Sequence, residues 1–221
     1  MMSTPGQMVR ALADLFDMSE SSVDVLDRGL AAAGLRAKSP RGRAATQVTS
    51  RDVAHDVIAL CMDASIRDTP AFVECFSKLE LKGGQSWTYQ GVPDDPDIRN
   101  LQEHPRLTPK GILEGGLFQE YPREDLPMAA TFGGSLASLL EHLPDLTDMR
   151  RVEVRMLKEL PGARISFKLG EQRVEVDFGK GGERGPDLGL CTIKSLNMPF
   201  LLSIAAILRT DKRTRSKIPQ A

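Results

Sequence analysis

A chain of 221 residues with 41 % hydrophobic and 27 % charged side chains has ordinary globular composition, with room for one generous domain or two small ones. Its formal net charge of −1 means that the whole molecule is no electrostatic trap for nucleic acid, so any DNA contact needs a local cluster of Lys and Arg. The N-terminus lacks the basic-then-apolar pattern of a signal peptide, and the longest C-terminal apolar run, Met198 to Leu208, is too short for a bilayer, so a soluble, cytoplasmic protein with no membrane partner is expected.

Thr4, Pro5 and Gln7 read as an N-cap, a first-turn proline and the third residue of a capping box, opening a helix over Pro5 to Phe16 with Met8, Leu12, Leu15 and Phe16 at helical spacing. Ser19 is a second N-cap. Behind it Val23, Leu26 and Leu30 form an apolar stripe, and Gly34 suits the left-handed position past a helix end. Thr49 with Asp52 signals a third helix carrying Val53, Val57, Ile58, Leu60 and Cys61.

From Lys82 to Pro127 the density of Gly and Pro excludes long helices, with Ser86 to Tyr89 as one strand candidate. Met128 to Leu143 is expected as a helix despite Gly133 and Gly134. Beyond Asp148 the pattern switches to period two: Val152, Val154 and Met156, then Ile165, Phe167 and Leu169, then Val174, Val176 and Phe178 alternate with polar residues across short turns. That is an antiparallel three-stranded meander. A glycine-rich connector, Gly179 to Gly189, leads to a helix capped by Asn197 and running from Pro199 to Leu208; the stretch from Asp211 to Ala221 is basic and expected to fray.

The segment Leu12-Ala-Asp-Leu-Phe-Asp-Met-Ser-Glu-Ser-Ser-Val23 has the parts of a helix-turn-helix: small Ala13 at the helix crossing, Leu12 and Phe16 facing Val23 and Leu26, and a tight turn at Asp17 and Met18. It resembles the motif of bacterial and phage regulators. With Asp27-Arg-Gly-Leu30, a basic loop and Thr49-Ser-Arg-Asp52-Val53 following, the first quarter of the chain resembles MerR-type and phage excisionase-type winged modules. Their turn often holds Gly where Asp17 stands here. The resemblance implies a non-enzymatic regulator of duplex DNA, of phage or mobile-element type, that needs no cofactor.

Between Asp27 and Asp52 no residue is acidic, whereas Arg28, Arg36, Lys38, Arg41, Arg43 and Arg51 are basic. Ser21, Ser22, Val25 and Arg28 are expected nearest the bases, and Arg36, Lys38, Arg41, Arg43 and Arg51 on phosphates. Glu20, Asp24 and Asp27 on the same helix oppose that role, which puts more of the affinity on the loop.

The fold expected is α+β. Residues 1–66 form a three-helix, winged DNA-binding domain, 67–127 a connecting region with short strands, 128–210 a second domain with the three-stranded meander packed on helices, and 211–221 a basic tail. The second domain is assigned self-association, as a homodimer, or contact with a partner protein. Two other classes share these features: a small-terminase-like packaging protein, which would form a ring, and a protein-binding adaptor or inhibitor.

Signals for catalysis are weak. His55, His104 and His142 are too scattered for a metal site, and His55 with Asp52 reads as a helix-surface pair. Asp145, Glu153, Glu175 and Asp177 lack the lysine of an acidic-x-Lys nuclease strand and read as outer-face charges. Gly179 to Gly185 lacks P-loop spacing. Cys61, Cys75 and Cys191 form no CxxC pair and read as buried free thiols.

Overall fold

The computed structural model describes residues 4–37, 47–89, 101–103, 106–113, 128–170, 172–180 and 192–209. The first three helices form where their caps place them. In α1 (Pro5–Phe16) the Thr4 hydroxyl accepts from the Gln7 N–H at 3.4 Å while Gln7 Oε1 accepts from the Thr4 N–H at 2.8 Å. The chain then turns through Asp17, at φ 52° and ψ 47°. Asp is among the few non-glycine residues that enter this left-handed region at small cost, which is how the turn closes without Gly. Ser19 caps α2 (Glu20–Ala32) by accepting from the Ser22 N–H at 3.1 Å, and Gly34 ends it at φ 77°. Thr49 and Asp52 cap α3 (Ser50–Met62) reciprocally.

α3 is the central helix, with ten of its thirteen residues buried, and α2, α4 and α6 pack around it. α4 (Thr69–Ser77) lies inside the stretch expected to be a connector. Pro70 occupies its first turn, where a missing N–H breaks no bond, and Val73 and Phe76 supply the buried stripe.

Among the described residues six strands make one sheet: β1 (Leu81–Tyr89), β2 (Leu101–Glu103), β3 (Met149–Leu157), β4 (Gly162–Leu169), β5 (Gln172–Gly179) and β6 (Ile193–Asn197), in the spatial order β2-β1-β5-β4-β3-β6. Each neighbouring pair is antiparallel. The expected meander, β3-β4-β5, is therefore the middle of a larger sheet, extended on one side by β1 and β2 and on the other by β6. Gly83 and Gly84, which read as loop punctuation, lie within β1. A Cβ on Gly84 would stand 2.4 Å from the Glu175 carbonyl oxygen, so the glycine permits close approach of β1 to β5.

The remaining helices are α5 (Pro109–Leu113), α6 (Phe132–His142) and α7 (Met198–Ile207). Thr131 and Asn197 cap α6 and α7 through Gly134 N–H and Phe200 N–H. α6 starts four residues later than expected, and Gly133 permits its close crossing of α4 at Ser77.

One face of the sheet is apolar. Leu196, Val154, Ile165 and Val176 form a cross-strand row, with Met156, Ala163 and Phe178 in the next. Phe132 of α6 meets Phe178 at 5.7 Å between ring centroids, and Phe16 of α1 meets Phe200 of α7 edge-on at 5.0 Å. Each such buried aliphatic or aromatic side chain contributes about 1.5–3 kcal/mol. The buried apolar residues form one cluster from Met8 to Ile207, so the expected borders at 66/67 and 127/128 cut across a shared core. Among the described residues no helix is long and apolar enough to cross a membrane.

Candidate nucleic-acid interface

α2 buries Val23, Asp27 and Leu30 and turns Ser21, Ser22, Val25 and Arg28 outward, Val25 being 37 % exposed. Two of the acidic residues beside that outward stripe are occupied. Glu20 accepts from Arg10 Nε of α1 at 3.1 Å, and Asp24 is paired with Arg28 one turn on. The third, Asp27, points inward. A groove of about 500 Å³ lies where α1 begins beside α2, with Gln7, Arg10, Glu20, Ser21 and Asp24 in its lining.

Arg36 departs from expectation. Its Nε stands 2.6 Å from Asp27 Oδ1, with the two side chains only 8 % and 5 % exposed. A guanidinium buried against a carboxylate is not available to a phosphate, so Arg36 is an internal tie between α2 and the segment after it. Arg51 is exposed on the first turn of α3. Lys38, Arg41 and Arg43 lie outside the described residues.

The chain on either side of that basic segment is held firmly. Asp52 accepts from the Ala37 N–H at 3.2 Å through Oδ1, and from the Thr49 N–H at 2.9 Å and hydroxyl at 2.7 Å through Oδ2. One carboxylate thus ties the residue entering residues 38–46 to the capping residue that follows them. His55 adds a third tie, its Nδ1 lying 2.5 Å from the Leu35 carbonyl oxygen. A carbonyl only accepts, so the proton is on Nδ1 and Nε2 is left as a buried lone pair without a partner. Burial holds the His55 pKa below its usual value against the opposing effect of that hydrogen bond.

Asp56, on α3 beneath these groups, is buried, and its Oδ2 has no partner. Burial, helped by repulsion from Asp27, pushes its carboxyl well above the ordinary range despite Arg36. Burial likewise raises Asp27 to about 6, with Arg36 opposing. One guanidinium therefore serves a pocket of three carboxyl groups, and the raised Asp56 pKa favours its uncharged form, which lowers the charge left to balance. Asp52 and His55 are not the surface pair that their spacing suggested.

Sequence reasoning missed this buried set, although a signal was present. Asp27 falls on the stripe of Val23 and Leu30, and Asp56 on that of Val53 and Val57, so helical periodicity alone points both carboxyls into the core.

The acidic residues considered for catalysis are each claimed by an arginine. Asp145 is paired with Arg209, and Glu153 with Arg155 at 2.8 Å. Arg164 reaches both Glu175, at 2.8 Å, and Asp177, at 2.6 Å. Among the described residues no three His, Cys, Asp or Glu are grouped as metal ligands. Cys61 is buried, and burial raises its thiol pKa to about 12; Cys75, expected inside, is exposed. His104, Cys191 and the glycine-rich stretch beyond Lys180 lie outside the described residues.

No protein-family model, curated protein or solved structure matches the chain.

Proposed function

We propose that this protein is a DNA-binding regulator that docks on duplex DNA through the outward stripe of α2 and the basic segment that follows it. The observation that carries this reading is the double tie made by Asp52: Ala37 and Thr49, on either side of residues 38–46, are bonded to one buried carboxylate. By sequence, Lys38, Arg41 and Arg43 lie between these two tied residues, so both flanks of the basic segment are anchored to α3. The order of helix, tight turn, helix, basic segment and Thr-capped helix resembles that of MerR-type and excisionase-type modules.

The acidic character of α2 does not argue against contact. Asp27 is internal, and Asp24 and Glu20 are each neutralised by an arginine. Ser21, Ser22, Val25 and Arg28 share one exposed side of the helix and are free of core duties, as a groove-reading face requires. Arg51 adds a phosphate contact at the start of α3. The regulator acts as a homodimer, and the part of the chain beyond residue 128 supplies self-association or a partner-protein surface.

The test is fluorescence anisotropy of the full chain with labelled duplexes tiled across the DNA flanking its own gene. One duplex is expected to bind more tightly than the rest, and Ser22→Ala with Arg28→Ala to erase that preference while leaving the thermal midpoint near wild type. Failure to bind any duplex at low salt would contradict the reading and favour a protein-binding adaptor.

A further inference from the structure

The outer face of the sheet carries an arrangement that the reading above does not use. The strand register places Arg150 of β3 opposite Lys168 of β4, Lys168 opposite Arg173 of β5, and Arg173 opposite Trp87 of β1. Residues directly opposite on neighbouring strands face the same side, so three cations and an indole form one continuous row, with Glu103 of β2 in register beyond Trp87. Neighbouring strands are about 4.8 Å apart, so the row from Arg150 to Trp87 spans about 14 Å. Like charges directly opposite one another weaken a sheet. Elsewhere on this face Arg164 stands between Arg155 and Asp177, with the acidic partner on one side, and Ser166 between Glu153 and Glu175.

Two further features converge on the row. The ladder between β3 and β4 bulges from Arg150 to Glu153, and within it Arg151 is held at φ 53°. A left-handed arginine is strained, and such strain concentrates where a side chain must be aimed. Arg151 is exposed, and with Lys168, Arg173, Ser166, Glu153 and Phe167 it lines a hollow of about 180 Å³. Glu153 is the acidic member, but Arg155 at 2.8 Å and the Ser195 hydroxyl at 2.5 Å hold it. At the other side of Arg173, its guanidinium carbon lies 5.8 Å from the Trp87 ring centre. Arg173 is 46 % exposed and also binds Glu175, so it is oriented yet open to solvent.

We propose that this hollow is a binding site for a small phosphorylated ligand, whose phosphoryl oxygens are received by Arg151, Lys168 and Arg173, with Trp87 positioned for a flat ring attached to the phosphate. Guanidinium forks match the geometry of a phosphate, and Arg151 and Arg173 each present one at the hollow. A free phosphate and a mononucleotide share this chemistry. The site is independent of α2 and its basic segment, so duplex binding can fail without touching it, and the reverse.

Trp87 is the chain's single tryptophan, so its fluorescence reports on this face alone. The full-length protein is titrated at constant ionic strength with inorganic phosphate, with adenosine monophosphate and with sodium chloride as control. A saturable change with phosphate or the nucleotide, absent with chloride, is expected at or below about millimolar concentration. Equal affinities mean that the phosphoryl group alone is recognised. A nucleotide preference of about tenfold means that the ring is recognised as well.

Arg151→Gly and Arg173→Gln should each weaken binding about tenfold. Arg151→Gly relieves the left-handed strain, so its thermal midpoint is expected to be no lower than wild type, which separates loss of the site from loss of the fold. The proposal is overturned if neither small ligand gives a saturable change, if chloride gives the same one, if both variants bind as wild type does, or if only oligonucleotides move the signal.

Discussion

The helical layer and the outer face of the sheet use the same charged residue types in opposite ways. Between α2 and α3 one guanidinium, Arg36, sits among three carboxylates, all buried, and the product is rigidity: Leu35, Ala37 and Thr49 are tied to α3. On the sheet Arg150, Arg151, Lys168 and Arg173 cluster at a hollow whose acidic member, Glu153, is already held by Arg155. The first arrangement is closed off from solvent, whereas in the second Arg151 and Arg173 are exposed beside a hollow. Proximity of arginines to a DNA-binding motif therefore says little about which of them touch a ligand; burial and the local balance of charge decide.

The sharpest way to break this comparison is to remove the buried cation. Arg36→Met leaves Asp27 and its neighbours without compensation and is expected to cost about 3 kcal/mol or more in urea unfolding. Pairing it with Asp27→Leu should recover most of that loss, because an apolar pair of similar volume avoids the desolvation of two ions. A single-variant cost comparable to that of an exposed arginine would mean that the pair contributes no rigidity.

Asp52→Ala comes next. It removes the α3 capping box and both backbone ties, and a loss of about 1–2 kcal/mol is expected, together with weaker duplex binding. Retention of full duplex affinity in a folded Asp52→Ala protein would show that the base of the segment need not be fixed.

A smaller effect is expected with pH. Burial raises Asp27 from the ordinary carboxylate range, which it keeps when unfolded, to about 6 in the folded protein, so the folded protein holds this proton more tightly. Its contribution is fully present below the unfolded value and is lost as pH rises from about 4 through about 6. Asp56, shifted in the same direction by its burial, adds to the loss. Urea midpoints should fall across this range, and Asp27→Asn should flatten the lower part of the decline. A wild-type midpoint that rises there would contradict the assignment.

Much of the local structure was legible because it rests on short-range chemistry. The caps at Thr4, Ser19, Thr49 and Asn197 act within three residues, and the alternation of β3, β4 and β5 follows from one buried face. What was not legible depends on residues distant in sequence. Gly83 and Gly84 belong to the Gly and Pro density that excludes long helices, and their role inside a strand emerges only from β5 passing 2.4 Å from where a Cβ would stand on Gly84. Arg36 looked like a loop cation, because its partner Asp27 was read from its charge and not from its place on the apolar stripe of α2. The borders at 66/67 and 127/128 followed changes in composition, whereas packing of α1 on α7 and of α3 on α6 is a tertiary fact. Of the candidate interface, the exposed stripe of α2 was readable by period, and the clamp made by Asp52 was not.

The central claim, that the basic segment is carried on a fixed base to meet a duplex, is tested most directly by the salt dependence of binding. The logarithm of the affinity of the wild-type chain for its preferred duplex should fall linearly with the logarithm of salt concentration, and Arg41→Ala with Arg43→Ala should make that slope shallower by about two while weakening all duplexes alike. Identical slopes for the two proteins would contradict it.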